Sequence, residues 1–418
     1  MGVPLNYNIR NLVQRKGTTL MTAFGIGLTV AVLVTAVAMT QGLKSVFAGT
    51  GDERNVLVLR KGVDAELSST VSGDAYQIIR RLPGIAVGGD GEPLVSPEAI
   101  TVINLPSVEA PEGMNVTVRG LLPVGLAMRP LEIVSGKAFA PGLRQVIVGE
   151  SVARRYPSAQ IGQQLKFGRG LWEVVGVFKN GESATNSEIW ADLNQVRGDF
   201  EQQGGSNSLL VRADISAAEA QRQIDEAARA TAAANKAKKD GEPDKTIAPA
   251  FISAFGIADD QRLNAAAVGE KKYYADMTSS GAPLQVLGFT VAIIMAVGSA
   301  FAATNTMYAA VARRSREIGT LRALGFGRWA ILRSFMLESI CLALLGGVAG
   351  VLLVLPLNNL TTGIGNFATF SETAFKLKVG WPAISFGMGF AALIGAVGGF
   401  LPAWSASRKG VVAAMREA

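Results

Sequence analysis

The stretch FGIGLTVAVLVTAVAM, residues 24–39, decides the class of this chain. Three more runs share its character: VLGFTVAIIMAVGSAF (286–301), CLALLGGVAGVLLVLPL (341–357) and FGMGFAALIGAVGGF (386–400). Each lies inside a longer segment without Asp, Glu, Lys or Arg, namely residues 17–43, 277–312, 339–371 and 379–407. A helix needs about 20 apolar residues to cross a hydrocarbon core of about 30 Å, and every segment exceeds that. Core helices of soluble proteins average about 10–14 residues and seldom run longer without a charge, so these are four membrane spans. A cleaved signal peptide is the competing reading of the first. Its apolar core exceeds the about 7–15 residues of such signals, and no small-x-small cleavage site follows directly.

Composition agrees. Of 418 residues, 49% are hydrophobic and 17% charged, against about 25% charged in a soluble domain. The chain has no histidine and a single cysteine, Cys341. That excludes Ser-His-Asp and Cys-His catalysis, His-ligated metals, Cys-cluster sites and an internal disulfide.

Lys and Arg concentrate on the cytoplasmic flanks of spans. Arg10, Arg15 and Lys16 precede span one; Arg313, Arg314, Arg316, Arg322, Arg328 and Arg333 separate spans two and three; Arg408, Lys409 and Arg416 follow span four. Both termini and the middle loop are therefore expected in the cytoplasm, and the long segment after span one outside. The net charge of +7 belongs to these flanks, so the basic balance points to membrane surfaces and not to nucleic acid.

Leu5, Ile9, Leu12 and Val13 recur at helical spacing, which fits either a short interfacial helix or a cytoplasmic extension of span one. The outer region alternates strand-like runs (56–60, 99–105, 116–119, 145–148, 171–178 and 209–212) with helical ones (74–82, 150–156 and 216–234). Ser216 and Glu219 stand at capping-box spacing. Residues 236–245, KAKKDGEPDK, read as a solvated loop, and 260–276 as a helical stalk entering span two. Tyr156, Trp172, Phe178 and Trp190 fit a core better than a substrate surface. The carboxylates, Asp52-Glu53 and Asp259-Asp260 among them, are scattered, and residues 149–151 give GES and not a G-x-S-x-G elbow. No enzyme site emerges.

Between spans two and three runs ARRSREIGTLRALGFGRWAILRSFMLESICLALLGGVAG, residues 312–350. Residues 313–324 favour a helix in which Glu317 can pair with Arg313 at i,i+4, and Ile318, Leu321 and Leu324 make a small apolar ridge. Gly325-Phe326-Gly327 ends it, and a second amphipathic piece starts at Trp329. Patterning leaves two uses open: docking in another protein's groove, or resting on lipid phosphates.

This stretch resembles the MacB/FtsX-like ABC transporter permeases, also called type VII, whose pattern is R-x-R-E-I-G-x-L-R-A-L-G, then x-I-x-x-x-F-x-x-E and a Gly-rich span start. Arg314, Arg316, Glu317, Ile318, Gly319, Leu321, Arg322, Ala323, Leu324 and Gly325 fill the first part; Ile331, Phe335, Glu338, Gly346, Gly347 and Gly350 fill the rest. Near the C-terminus, Pro402, Ala403, Ala406, Arg408, Ala414 and Arg416 are similar to the family's closing motif, with Gly410 and Val411 in place of its usual Asp-Pro. Residues 11–37 resemble its first span. NVLVLRKG (55–62), VTVRGL (116–121) and WEVVGVF (172–178) look like its periplasmic core domain.

The resemblance implies an α-helical inner-membrane protein of four transmembrane helices, with a large α+β extracytoplasmic domain inserted between helices 1 and 2. The layout is a cytoplasmic interfacial helix (1–18), span one (19–43), a core domain with stalk (44–276), span two (281–311), a coupling loop (312–334), span three (335–360), a short outer loop (361–380), span four (381–405) and a cytoplasmic tail (406–418). It also implies a permease dimer, with an identical or related copy, on an ATPase dimer that binds ATP-Mg. In a two-membrane cell an adaptor and an outer-membrane channel join it. The coupling residues would be Arg313, Arg314, Arg316, Glu317, Ile318, Gly319, Leu321, Arg322, Ala323, Leu324 and Gly325. The chain itself has no G-x-x-x-x-G-K-[ST] stretch: Lys44-Ser45 and Lys245-Thr246 follow Leu43 and Asp244, not Gly. No cofactor or ATP is therefore expected on it. Export or release of an extracytoplasmic substrate by movement of the outer domain is the expected function. The alternatives are an FtsX-type signal relay to a cell-wall hydrolase or sensor, and lipoprotein release.

Overall fold

Four helices carry the uncharged segments: Lys16–Ala48, Ala282–Arg313, Arg328–Val354 and Trp381–Arg408. Each is long and apolar enough to cross a membrane. The computed structural model describes residues 16–107, 110–202, 204–238, 244–278, 282–366 and 370–408. The expected interfacial helix over 5–13 and the end of the C-terminal tail (409–418) lie outside the described residues. The chain divides into a helical unit (up to 42, 281–361, and from 376) and an α/β unit (43–280 and 362–375).

Close backbone approach defines the helical unit. A Cβ on Gly350 would overlap the carbonyl of Gly27, one on Gly346 would meet Ala23 O at 2.6 Å, and one on Gly398 would meet Ala300 O at 2.9 Å. Lipid supplies no hydrophobic drive between helices, so small residues that let backbones touch, and hydrogen bonds across helices, hold such bundles. Thr29 and Ser299 share a hydroxyl bond of 2.7 Å, as Thr22 and Thr306 do at 2.8 Å. Ser339 donates to Gly395 O at 2.7 Å and Thr304 to Gly398 O at 2.8 Å.

The α/β unit is built on a mixed sheet of ten strands in the order β12 (Ala265–Gly269), β1 (Asn55–Arg60), β11 (Ser208–Arg212), β3 (Val95–Leu105), β4 (Met114–Leu121), β9 (Glu188–Asp192), β6 (Gln145–Gly149), β8 (Gly170–Lys179) and β5 (Glu132–Gly136), with β7 (Gln164–Phe167) paired to β8. β4–β9 and β6–β8 are parallel, and the other pairs antiparallel. β2 (Val71–Ser72) and β10 (Gly205–Ser206) form a small ribbon, and β13 (Thr361–Asn366) and β14 (Ser371–Lys376) a hairpin. β1 is buried along nearly its whole length, and strands pair with it on both sides. Residues 265–269, expected within a helical stalk, are strand β12. Ala266, Ala267 and Val268 pair with β1 there, and the helix begins only at Glu270.

Trp172 and Trp190 are fully buried, stacked on Phe167 (4.8 Å) and Phe178 (4.3 Å), and Tyr156 is buried too. These aromatics are core. Ser216 caps its helix, accepting from Glu219 N at 3.2 Å, while the Glu219 carboxylate takes Arg222 and Gln223.

Gly350→Val should force the first and third membrane helices apart and cost about 1–3 kcal/mol, the usual range for overpacking. Gly389→Val, with nothing within 4 Å of its Cβ, should be neutral. Thermal unfolding of the purified chain in detergent compares the two.

Candidate functional site

The second membrane helix ends at Arg313, and the chain turns at Arg314 into the short helix Ser315–Ala323. Arg314 is the corner post. Its Nη1 donates to Glu338 of the third membrane helix at 3.0 Å, its Nε to Glu317 at 3.0 Å, and its guanidinium lies 5.5 Å from the Phe335 ring. Both Arg314 and Glu338 are buried, so the pair fixes the angle at which the short helix leaves. Glu317 thus pairs at i,i+3 with Arg314, where the spacing had pointed to Arg313. Gly325, at φ +96°, ends the turn in a left-handed conformation that costs glycine nothing.

The short helix has an inner and an outer side. Ile318, expected on an exposed ridge, is 1% exposed and packs among Met307, Val311, Ile331, Phe335, Ala403 and Ala406. Gly319 is buried with it, and Leu321 and Arg322 are half-buried, Arg322 reaching Ser407 O at 3.4 Å. Arg313, Arg316, Glu317, Ala323, Leu324 and Gly325 face outward, with Leu324 and Trp329 each 72% exposed.

A second constellation lies in the α/β unit. Arg119, on β4, is 2% exposed. Its guanidinium holds Glu188 (2.8 and 3.0 Å), Glu66 (2.9 and 3.1 Å) and Glu98 (2.6 Å), and reaches the Tyr274 hydroxyl at 3.4 Å. Arg129 also takes Glu98, at 2.6 and 2.9 Å, lies 3.8 Å from Glu270, and covers the Trp190 ring at 5.6 Å. Glu270 accepts from Asp52 N (3.0 Å) and Asn55 Nδ2 (2.7 Å). Burial pushes the Glu270 carboxyl above the usual range, although Arg129 opposes the shift. Burial acts on Glu66 in the same sense, but Arg119 outweighs it and carries that carboxyl down. Burial, with Glu66 nearby, also raises the Tyr273 and Tyr274 hydroxyls, which stay protonated.

Residues 19–227 match the family described as MacB-like periplasmic core domain, and residues 289–411 the family described as FtsX-like permease C-terminal. The chain belongs to the MacB/FtsX-like ABC transporter permeases. It is similar to an uncharacterized ABC transporter permease, YknZ, of Bacillus subtilis (strain 168), at 25% identity over 431 residues that cover 98% of this chain and 97% of the relative. It is also similar to the macrolide export ATP-binding/permease protein MacB of Sodalis glossinidius, at 26% identity over 437 residues covering 98% of this chain but only 60% of that protein. Among solved structures, the periplasmic region of MacB from Actinobacillus actinomycetemcomitans matches 54% of this chain and 92% of its own length, at 11% identity and a TM-score of 0.34.

In this permease the Arg119 cluster escaped sequence reasoning because its carboxylates come from four separated segments. The available signal was a lone arginine inside the apolar run VTVRGL. The expected coupling residues, by contrast, sit together in one helix and its flanks.

Two outcomes are expected. Glu338→Ala takes from the buried Arg314 guanidinium its buried carboxylate partner and should cost about 3–5 kcal/mol, lowering the unfolding temperature and the yield of folded protein. Glu270→Gln should gain stability relative to the parent as pH rises from the ordinary carboxylate range, about 4, toward neutrality. A carboxyl whose folded pKa is raised contributes most below its unfolded value, and that contribution fades as pH climbs through the folded one. Unfolding temperatures across that range read the sign, and a constant difference contradicts it.

Proposed function

We propose that this chain is the permease subunit of an ABC transporter. It converts ATP binding and hydrolysis by a separate ATPase subunit into movement of its α/β unit, which exports or releases a substrate on the far side of the cell's inner membrane. The observation that carries the proposal is the Arg314 corner. One side of a short helix is locked into the membrane helices by Ile318 and the Arg314–Glu338 pair, while Arg313, Arg316, Glu317 and Leu324 point away. A helix so anchored passes a push on its outer side to the second and third membrane helices together.

The relatives support the division of labour. MacB carries ATP-binding and permease functions under one name, and this chain spans 60% of its length. The permease YknZ is matched over 97%. On this reading ATP-Mg is held by the partner. A second permease copy, identical or related, completes the assembly, with both termini and the short helix cytoplasmic and the α/β unit outside. An adaptor and an outer-membrane channel complete the path where a second membrane exists.

Arg316→Glu combined with Leu324→Asp should reduce co-purification of the ATPase at least 10-fold while leaving the unfolding temperature of the permease within about 2 °C. Unchanged co-purification sinks the assignment of the docking side. Lys61→Cys, placed on an exposed turn in a Cys341→Ser background, should react with an impermeant thiol reagent in intact cells. Labelling only after lysis reverses the topology.

A further inference from the structure

Three stretches of the α/β unit are continuous in the chain with membrane helices. They are residues 43–52, which take in the last turns of the first, the Glu270–Met277 helix before the second, and the hairpin β13–β14 between the third and fourth. All three line one cavity of about 40 Å³: Phe47 comes from the first stretch, Tyr274 and Met277 from the second, and Ser371, Glu372 and Thr373 from the third, against Arg119, Glu66 and Glu188. The lining mixes charged side chains with apolar ones such as Phe47 and Met277, and a space of that size has room for about three waters at about 10–15 Å³ each.

The first two stretches are bonded to each other, because Glu270 accepts from Asp52 N. The hairpin is held separately. Residues 371–375 are all buried, and Ala374 N donates to Ser187 Oγ at 2.9 Å. Glu372 accepts from Arg155 Nη2 at 2.8 Å and from the Tyr156 hydroxyl at 3.2 Å. The pair is enclosed, with side-chain exposures of 11% for Arg155 and 4% for Glu372. Gly363 on β13 makes room for it: a Cβ there would overlap the Glu372 carboxylate and lie 2.7 Å from Arg155 Nη1. A connecting loop needs none of this. An exposed ion pair is worth about 0–1 kcal/mol, whereas an enclosed pair, once broken, leaves a desolvated charge and therefore resists being pulled apart.

We propose that β13–β14 is a third drive connection, in which Arg155 and Glu372 are the positioning residues that pass displacement of the third and fourth membrane helices to the α/β unit. The inference rests on the ATP-driven movement proposed above.

The test uses the full permease assembled with its ATPase in nanodiscs, labelled at Lys61→Cys in a Cys341→Ser background. The distance between labels on two permease copies is measured without nucleotide and with ATP plus vanadate. Glu372→Gln and Gly363→Val should each retain less than half of the parent's distance change while ATP turnover stays within two-fold. The exchanged pair Arg155→Glu with Glu372→Arg should restore it. Full amplitude in both single variants overturns the proposal. Reduced singles with no recovery in the exchange overturn the role of the ion pair. Where a single variant fails to accumulate, the exchanged pair alone decides: restored amplitude supports the proposal and lost amplitude overturns it. A parent complex that shows no nucleotide-dependent change refutes the parent reading instead, a distinct result.

Discussion

Arg119 is the interaction on which the α/β unit depends. One guanidinium so deeply buried needs all its donors used, and here they are spread over Glu66, Glu98, Glu188 and Tyr274. Those partners arrive from a 3-10 turn, two strands and the helix that precedes the second membrane helix. Replacing a buried ion network with hydrocarbon often leaves a protein no less stable, whereas removing one partner is costly. The network therefore acts chiefly as a register device: the sheet and the helix leading to the membrane can close only in the arrangement that satisfies every donor.

The charge count sharpens this. Around the cluster Arg54, Arg119, Arg129 and Arg212 face Asp52, Glu66, Glu98, Glu188 and Glu270, so the carboxylates outnumber the guanidinia by one. The surplus falls on Glu270, the carboxyl that burial pushes up. Its Oε2 is tied to backbone and amide donors, which favour the charged form, while Arg129 stands off at 3.8 Å. Glu270 sits where the chain passes from β12 into the last helix before the membrane.

Legibility in the sequence followed the range of the interaction. Membrane helices announce themselves because a single charge in about 20 residues is conspicuous, and strands such as β1 and β4 show in runs of Val and Leu. The short helix of residues 315–323 was visible for the same local reason. Its orientation was not, since helical spacing places Ile318, Leu321 and Leu324 on adjoining positions without saying which of them the bundle buries. The structure buries Ile318 and exposes Leu324. Residues 265–269 misled for a related reason: AAAVG carries no strand signature, and only pairing with β1 makes it extended. Arg119, Glu372 and Gly363 were opaque because each has meaning only beside partners far away in sequence.

The membrane helices are packed to be stiff. Where Gly27, Gly346 and Gly350 bring backbones into contact, and Thr29 and Ser299 bond across helices, there is little soft side-chain volume to absorb displacement. Close-packed interiors transmit strain instead of damping it. Compliance is then confined to places where packing is open, and the described α/β residues offer one at the cavity beside Arg119, where the three chain connections meet. The two units thus differ in physical character: glycine contacts leave the bundle little slack, while the α/β unit keeps a small open space beside the ionic network that holds its own sheet in register.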